Sequence, residues 1–215
     1  MQLISVSVGQ PQLTIRGGRQ YSTAINKRPV DGAVPVDKQG LESDRSADSE
    51  NHGGVDKAVC CFPSEHYAFF AEKLGVADLE IPAFGENFTT SGLLEHEICI
   101  GDRFRANDVV FQVSQPRQPC WKLANKHECK DLAGWVVESQ YCGFYLRVLA
   151  AGEIMAGVPF EIVDRPHEGA TVAAALAAMY ASQPDMDMLQ RFCGIEELTG
   201  SWREKFAKRM EPGDD

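Results

Sequence analysis

The sequence lacks an excess of basic residues and lacks long apolar runs. Its 21 Lys and Arg residues are outnumbered by 31 Asp and Glu residues, so the formal net charge at pH 7 is -10. A nucleic-acid-binding or anionic-membrane-binding surface needs a basic face, and the acidic balance argues against both. No segment reaches the roughly 18 apolar residues of a membrane span, and residues 1–8 lack the features of a signal peptide. We therefore expect a cytoplasmic protein with no nucleic-acid or membrane partner.

Motifs for several common cofactors are also absent. The sequence has no P-loop and no flavin, NAD or iron–sulfur motif, and its histidines lack metal-ligand spacing. Seven cysteines, an odd number, occur without a C-x-x-C pair in a chain long enough to fold without disulfides. We expect reduced thiols, most of them small buried side chains. Cys60 and Cys61 are adjacent in a predicted strand, so at most one of them can face a cavity.

The pattern along residues 1–165 is typical of β-structure. Short apolar runs, such as those predicted as strands at 97–100 and 144–150, are separated by turns that contain glycine. We predict only two helices in this part, at 64–74 with Ser64 as its cap and at 130–139. Many short strands with few helices favour a β-barrel or a strongly bent sheet over an alternating α/β fold.

The character of the chain changes after residue 165. Thr171 and Asp185 can each cap a short helix, and a third apolar stripe runs through residues 195–210. We therefore predict a β-barrel domain at 1–165 with a few peripheral helices, followed by a three-helix extension at 166–215 that ends in an acidic tail. Trp202 and Phe206 in the extension predict either a stabilising cap or a homodimer contact.

The segment that ends at Cys120 is the most distinctive in the chain. A hairpin with its turn at Asn107-Asp108 supports a strand that ends at Val113, and two prolines keep the following residues extended. Cys120 stands between Arg117 and Lys122. Nearby cations stabilise a thiolate, which is the form that ligates a soft metal or attacks an electrophile. The alternative is that Cys120, like most isolated cysteines, is a small buried side chain.

Two further groups of residues could bind a ligand. Gly53-Gly54 would let backbone N–H groups approach a phosphate or a polar heterocycle, with His52 and Lys57 as flanking donors, although the residues alone favour a plain tight turn. Arg147 lies among apolar residues of a predicted strand, so it must point outward or have an anionic partner.

Several short motifs occur in a specific order along the chain. They are Gly40-Leu41, Asp44 and residues 52–58, 84–88, 100–102 and 113–120. Together these motifs resemble a MOSC-domain protein, and with the C-terminal helices they resemble the bacterial YiiM-like group of that family. The resemblance implies a MOSC-type β-barrel that binds the molybdenum cofactor, a pterin dithiolene with a phosphate, and holds molybdenum through Cys120.

The resemblance also implies a function and a set of site residues. Similar proteins reduce N-hydroxylated compounds, including nucleobases such as hydroxylaminopurine, to amines, with electrons from an external donor protein. We predict that Cys120 is the catalytic metal ligand, with His52 and Asp56 as candidate proton donors. The predicted cofactor-binding residues are Lys27, Arg28, Gly53, Gly54, Lys57, Asn87, Ser114, Gln115, Arg117 and Arg147. Two rival functions are a sulfur carrier or transferase with a persulfide on Cys120, and a cofactor-binding module without turnover.

Overall fold

The computed structural model describes residues 1–16, 19–48 and 53–211. Its strands are β1 (Gln2–Val8), β2 (Gln12–Arg16), β3 (Arg19–Thr23), β4 (Arg28–Pro29), β5 (Val34–Asp37), β6 (Gly40–Leu41), β7 (Val59–Pro63), β8 (Phe88–Ser91), β9 (Arg103–Ala106), β10 (Val109–Pro116), β11 (Phe144–Ala150), β12 (Gly152–Ile154) and β13 (Glu161–Asp164). Its α-helices are α1 (Tyr67–Leu74), α2 (Trp121–Lys126), α3 (Leu132–Ser139), α4 (Val172–Tyr180), α5 (Met186–Cys193) and α6 (Gly200–Met210). Short 3-10 helices occupy Val55–Lys57 and Ser64–His66.

One curled sheet of eight strands forms the body of the molecule. The strand order is β13-β9-β10-β11-β7-β8-β1-β4, and every pair is antiparallel except β7 and β8. The sheet bends back on itself, because Leu3 in β1 exchanges backbone hydrogen bonds with Gly157 and Val158, just before β13. The result is a half-barrel, which confirms the mainly β prediction.

Aromatic side chains fill the interior of the half-barrel. Phe62 stacks on Phe84 with ring centroids 4.0 Å apart, and Phe88 meets Phe111 edge to face at 5.5 Å. All four rings are buried, and burying such a side chain contributes roughly 1.5–3 kcal/mol. This packed core gives the strands that carry the site residues a rigid base.

The hairpin prediction and the two cap predictions at Thr171 and Asp185 are confirmed. Asn107 takes a left-handed φ of 54° in the turn between β9 and β10. Thr171 Oγ1 accepts a hydrogen bond from the backbone N–H of Ala174 at 3.1 Å, and Asp185 caps α5 in the same way. Local side-chain chemistry was therefore enough to place these boundaries.

Three local predictions were wrong. Residues 97–100 form turns and one isolated bridge because the backbone N–H of Cys99 donates to Asp102 Oδ2 at 2.9 Å instead of entering a ladder. Ser64 begins a 3-10 helix and does not cap α1 with its side chain. Only two helices were predicted in residues 1–165, but a further one, α2, begins at Trp121 directly after Cys120.

The C-terminal helices pack on one another and on the main sheet. Phe206 in α6 stacks on Phe192 in α5, with centroids 5.4 Å apart, and both are buried together with Trp202. Trp202 and Phe206 therefore form no exposed face for a dimer contact. Within the described ranges, no helix combines the length and apolar character needed to cross a membrane.

Candidate functional site

A cavity of about 930 Å³ opens beside the Cys120 segment, defined here as residues 114–120. Its volume lies in the range of roughly 300–1,000 Å³ that is typical of small-molecule sites. Strand β7, the turn before it and the Cys120 segment all contribute side chains. Of the residues predicted from sequence, those that line the cavity are Lys27, Gly53, Gly54, Lys57, Asn87, Arg117 and Cys120.

Cys120 stands at the junction between an extended segment and a helix. The backbone N–H of Arg117 donates to the Gly143 carbonyl at 3.0 Å, which fixes the chain just after the end of β10. Cys120 itself is extended, with φ -120° and ψ 137°, and its carbonyl accepts from the N–H of Leu123 at 2.9 Å in the first turn of α2. Its side chain is partly exposed and lines the cavity. The backbone thus presents the Cys120 thiol to the cavity from a defined position.

Arg117 supplies a buried cation with an unused donor. Its side chain is 8% exposed, and Nη2 donates to the Phe84 carbonyl at 2.6 Å. Its other terminal nitrogen, Nη1, is buried and has no hydrogen-bond partner among the residues described. Burial opposes the charge, but Cys60, Tyr145 and further acidic groups raise the pKa of Arg117 above its ordinary value. A cation with an unsatisfied donor indicates a place for an anionic ligand.

Cys60 and Tyr145 also line the cavity, and sequence reasoning did not select either as a site residue. The two residues are register partners in β7 and β11, and their side chains are hydrogen-bonded. Burial is the largest cause that raises the pKa of both groups, so both hold their protons at neutral pH. Cys61 points the other way and belongs to the apolar core, which confirms that only one of the adjacent cysteines faces the cavity.

Lys27 and Lys57 bring further positive charge to the cavity. Lys27 Nζ lies 2.5 Å from Asp44 Oδ1, and both side chains line the cavity. Lys57 is half-buried; burial first, and then the charge of Lys205, lowers its pKa. Gly54 has φ 90°, a conformation that favours glycine, and a side chain there would meet no atom within 4 Å. The Gly53-Gly54 turn is therefore open enough for a ligand to approach its backbone.

Five predicted site residues that the structure describes do not line the cavity: Arg28, Asp56, Ser114, Gln115 and Arg147. Arg147 Nε donates to Asp56 Oδ1 at 2.8 Å, and its Nη1 donates to the Glu197 carbonyl at 2.9 Å. Ser114 Oγ donates to the Asp56 carbonyl at 2.5 Å. These contacts are within the protein, so the role of Arg147 and Ser114 as cofactor ligands stays a prediction.

The remaining predicted residues are placed as follows. Gln115 accepts a hydrogen bond from Thr199, and Arg28 lies exposed at a separate shallow groove. Asn87 lines the cavity but also ties two strands, since its Oδ1 accepts from the N–H of Cys60 at 3.1 Å. His52 falls outside the described residues, so its predicted role as a proton donor is not addressed.

Three side chains donate hydrogen bonds to the loop at residues 82–84, which precedes the cavity residue Gly85. Lys126 Nζ donates to the Pro82 carbonyl at 2.7 Å, and His127 Nε2 lies 2.9 Å from the Ala83 carbonyl. With Arg117 on the Phe84 carbonyl, three successive carbonyl groups are bound by residues from or just after the Cys120 segment. This loop and the Cys120 segment are therefore held together as one rigid unit.

Burial of Lys126 leads to a pH-dependent stability. Desolvation lowers its pKa from 10.5 to about 8. Between these values the unfolded chain binds the proton more strongly, so this residue's contribution to stability becomes more favourable as pH rises from 8 to 10.5. We expect the free energy of unfolding of the wild type to increase relative to that of Lys126→Met as pH rises over this interval. Urea titrations at several pH values measure the difference, and a difference independent of pH would contradict the interpretation.

The described residues include no cluster of three or more His, Cys, Asp or Glu side chains that could hold a metal ion. A metal bound by Cys120 therefore needs further ligands from its own cofactor.

Comparison with known proteins identifies the family. A model described as "MOSC domain" matches residues 48–161, and one described as "YiiM-like, 3-alpha helix domain" matches residues 171–213. The chain is 41% identical over 209 residues to the uncharacterized protein YflK of Bacillus subtilis (97% of this chain, 94% of that protein). The crystal structure of YiiM from Geobacillus stearothermophilus superposes with a TM-score of 0.82 at 38% identity, covering 98% and 99% of the two chains.

A longer protein is similar to this chain over about a third of its own length. A protein named "Reductase" from Gibberella moniliformis is 30% identical over 190 residues, which are 87% of this chain and 34% of that protein. The family matches, the fold and the full-length likeness to YiiM agree with one another. The chain therefore belongs to the MOSC-domain family, in the group whose MOSC domain is followed by a YiiM-like three-helix domain.

Proposed function

We propose that the chain binds the molybdenum cofactor in the 930 Å³ cavity and reduces N-hydroxylated compounds to amines there. The observation that carries the proposal is the presence of the Cys120 thiol and the partly unsatisfied Arg117 guanidinium in one cavity of a MOSC-domain protein. The relative named "Reductase" supports an oxidoreductase, although the match spans about a third of that protein. The chain's location in the cytoplasm remains part of the proposal.

The residues present fit this cofactor. A thiolate is a suitable ligand for a soft metal, and Cys120 is the thiol that the backbone presents from the segment beside α2. The unsatisfied Arg117 nitrogen suits an anionic group, as do the charges of Lys27 and Lys57 on the same cavity. The open backbone at Gly54 suits a phosphate or a flat ring. Cys120 would hold the metal, and the cations would balance the charge of the pterin phosphate.

When bound, the cofactor supplies the two-electron redox chemistry that amino-acid side chains do not. The overall change is R–NHOH plus two electrons and two protons to R–NH₂ plus water. The protein's task is to orient the N–OH group, to exclude bulk water and to deliver protons. The electrons must come from an external donor protein, since the sequence has no flavin, NAD or iron–sulfur motif.

Tyr145 is one candidate proton source among the described cavity residues. Tyr145 lines the cavity, and burial followed by the nearby Cys60 raises its pKa, so Oη keeps its proton across the neutral range. Asp56 is ion-paired with Arg147 and does not line the cavity. We infer that Tyr145 Oη donates the proton with which the substrate hydroxyl leaves as water.

The test is turnover by protein made in a host that synthesises the molybdenum cofactor. With dithionite-reduced viologen as the electron donor, we expect many equivalents of hydroxylaminopurine to become the amine per protein. A molybdenum-containing protein without turnover would instead favour the binding module. A metal-free protein with labile sulfane sulfur on Cys120 would favour the sulfur carrier.

Arg117→Met should weaken retention of the cofactor. Removing one charge-assisted hydrogen bond in a buried site costs roughly 1.5–3 kcal/mol, so we expect cofactor affinity to fall about 10- to 100-fold. Pterin released during gel filtration and molybdenum left on the protein measure the effect. Arg28→Met is the matched control, because Arg28 is exposed and lies away from the cavity. Equal losses in the two variants would contradict the assignment of Arg117.

A further inference from the structure

The residue before helix α6 contacts the Cys120 segment instead of capping its own helix. Thr199 occupies the N-cap position, where threonine commonly accepts a hydrogen bond from the first helical turn, but its side chain makes no capping hydrogen bond. Its hydroxyl donates to Gln115 Oε1 at 2.9 Å, and its backbone N–H donates to the Ser114 carbonyl at 3.2 Å. Thr199 and Gln115 are 5% and 3% exposed, so neither group can replace this bond readily with water.

Gln118 links the segment to the same helical unit closer to Cys120. Its Nε2 donates to Tyr180 Oη at 3.3 Å, and its Oε1 accepts from Lys205 Nζ at 2.7 Å. Tyr180 belongs to α4 and Lys205 to α6, so two helices hold one side chain two residues before Cys120. The charge of Lys205 also reaches the cavity, since it contributes, after burial, to the lowered pKa of Lys57.

We propose that the C-terminal three-helix unit positions Cys120 for its chemistry, with Thr199 and Lys205 as positioning residues. The main-chain and side-chain contacts at residues 114, 115 and 118 hold the segment to the helical unit, in addition to the Arg117 contact with Phe84. The proposal rests on the proposed function in so far as Cys120 is taken as the chemical group. The position of the thiol can nevertheless be measured without any cofactor.

The test compares alkylation of individual thiols in the full chain. Thr199→Val removes the hydroxyl at nearly constant volume, Thr199→Ser retains it, and Glu204→Gln, at an exposed position of α6, is the control. Iodoacetamide labelling at each cysteine is followed by peptide mass spectrometry, with Cys193 in α5 as the internal reference. We expect Thr199→Val to speed labelling of Cys120 by about threefold or more through local opening, and Thr199→Ser to match the wild type. Labelling of Cys193 should not change.

An unchanged rate at Cys120 in Thr199→Val would overturn the proposal, and so would equal acceleration at Cys120 and Cys193, which would indicate general loosening. Lys205→Met, with the exposed Lys208→Met as its control, gives the same comparison if Thr199→Val does not fold. In protein that does carry molybdenum, Thr199→Val should also lower turnover about tenfold while Thr199→Ser does not. Wild-type protein without molybdenum would refute the proposed function and leave the labelling result as it stands.

Discussion

Cys120→Ser should abolish reduction of N-hydroxylated substrates, with a loss of at least about a thousandfold, because a serine hydroxyl is a harder ligand and stays protonated at neutral pH. The replacement removes one sulfur atom and leaves the backbone of the Cys120 segment intact. That backbone is fixed by hydrogen bonds to Gly143 and Leu123, neither of which involves the thiol. The effect should therefore come from lost metal ligation and not from unfolding. Circular dichroism and urea denaturation of the variant check this point.

Cys129→Ser is the matched control for the Cys120 replacement. Cys129 is a partly exposed thiol just after α2, and it does not line the cavity. Steady-state turnover with an artificial electron donor should be unchanged in this variant. If Cys120→Ser retained more than about a tenth of wild-type turnover, metal ligation by Cys120 would be contradicted.

Tyr145→Phe should lower kcat about a hundredfold while leaving molybdenum content unchanged. General acids of this kind typically contribute 10²- to 10⁴-fold, and the phenylalanine ring keeps the packing of β11 while removing the proton. The raised pKa of Tyr145 means that the wild-type donor remains protonated as pH increases through the neutral and mildly alkaline range. The wild-type rate should accordingly show no loss from deprotonation of this group below pH 9.

Tyr141→Phe is the matched control for Tyr145→Phe, because it removes a tyrosine hydroxyl outside the cavity. Tyr141 stacks on His66 with ring centroids 3.7 Å apart and does not line the cavity. Its replacement should leave kcat unchanged. Equal rates for wild type and Tyr145→Phe would assign the proton to another group, and the sequence candidates His52 and Asp56 would then be the residues to replace.

The local sequence singled out Cys120 and Arg117, because one proline-containing segment carries both of them, and the resemblance to MOSC-domain proteins then made them predicted site residues. The same reasoning could not identify Tyr145, and it could not tell which of Cys60 and Cys61 faces the cavity. The side chains of Cys60 and Tyr145 meet only through the register between β7 and β11, which pairs these two residues 85 positions apart in the chain. Pairing over such distances depends on the whole sheet and not on local propensity.

For Arg147 and Ser114, the sequence could not identify the hydrogen-bond partner. Sequence reasoning correctly required an outward direction or an anionic partner for Arg147, but it could not tell a cofactor phosphate from a carboxylate of the chain. In the structure the partner is Asp56, in the turn that precedes β7. Ser114 likewise donates to a backbone carbonyl of that turn. A polar residue in a strand thus indicates a partner, while the identity of the partner depends on the tertiary structure.

The fold class was predictable for a different reason. Short apolar runs separated by turns are repeated many times in the first 165 residues, so errors at single elements, such as the strand expected at 97–100, do not change the class. The helix at Trp121–Lys126 was missed because prolines at positions 116 and 119 indicate extended backbone, and that signal ends at Cys120.

Molybdenum analysis of purified protein tests the central claim most directly. Wild type and Cys120→Ser are made in the same host that synthesises the cofactor, and metal and pterin are measured per mole of protein. The proposed function predicts close to one molybdenum and one pterin per wild-type chain, with molybdenum lost from Cys120→Ser. Wild-type protein without molybdenum, or equal molybdenum in the two proteins, would contradict it.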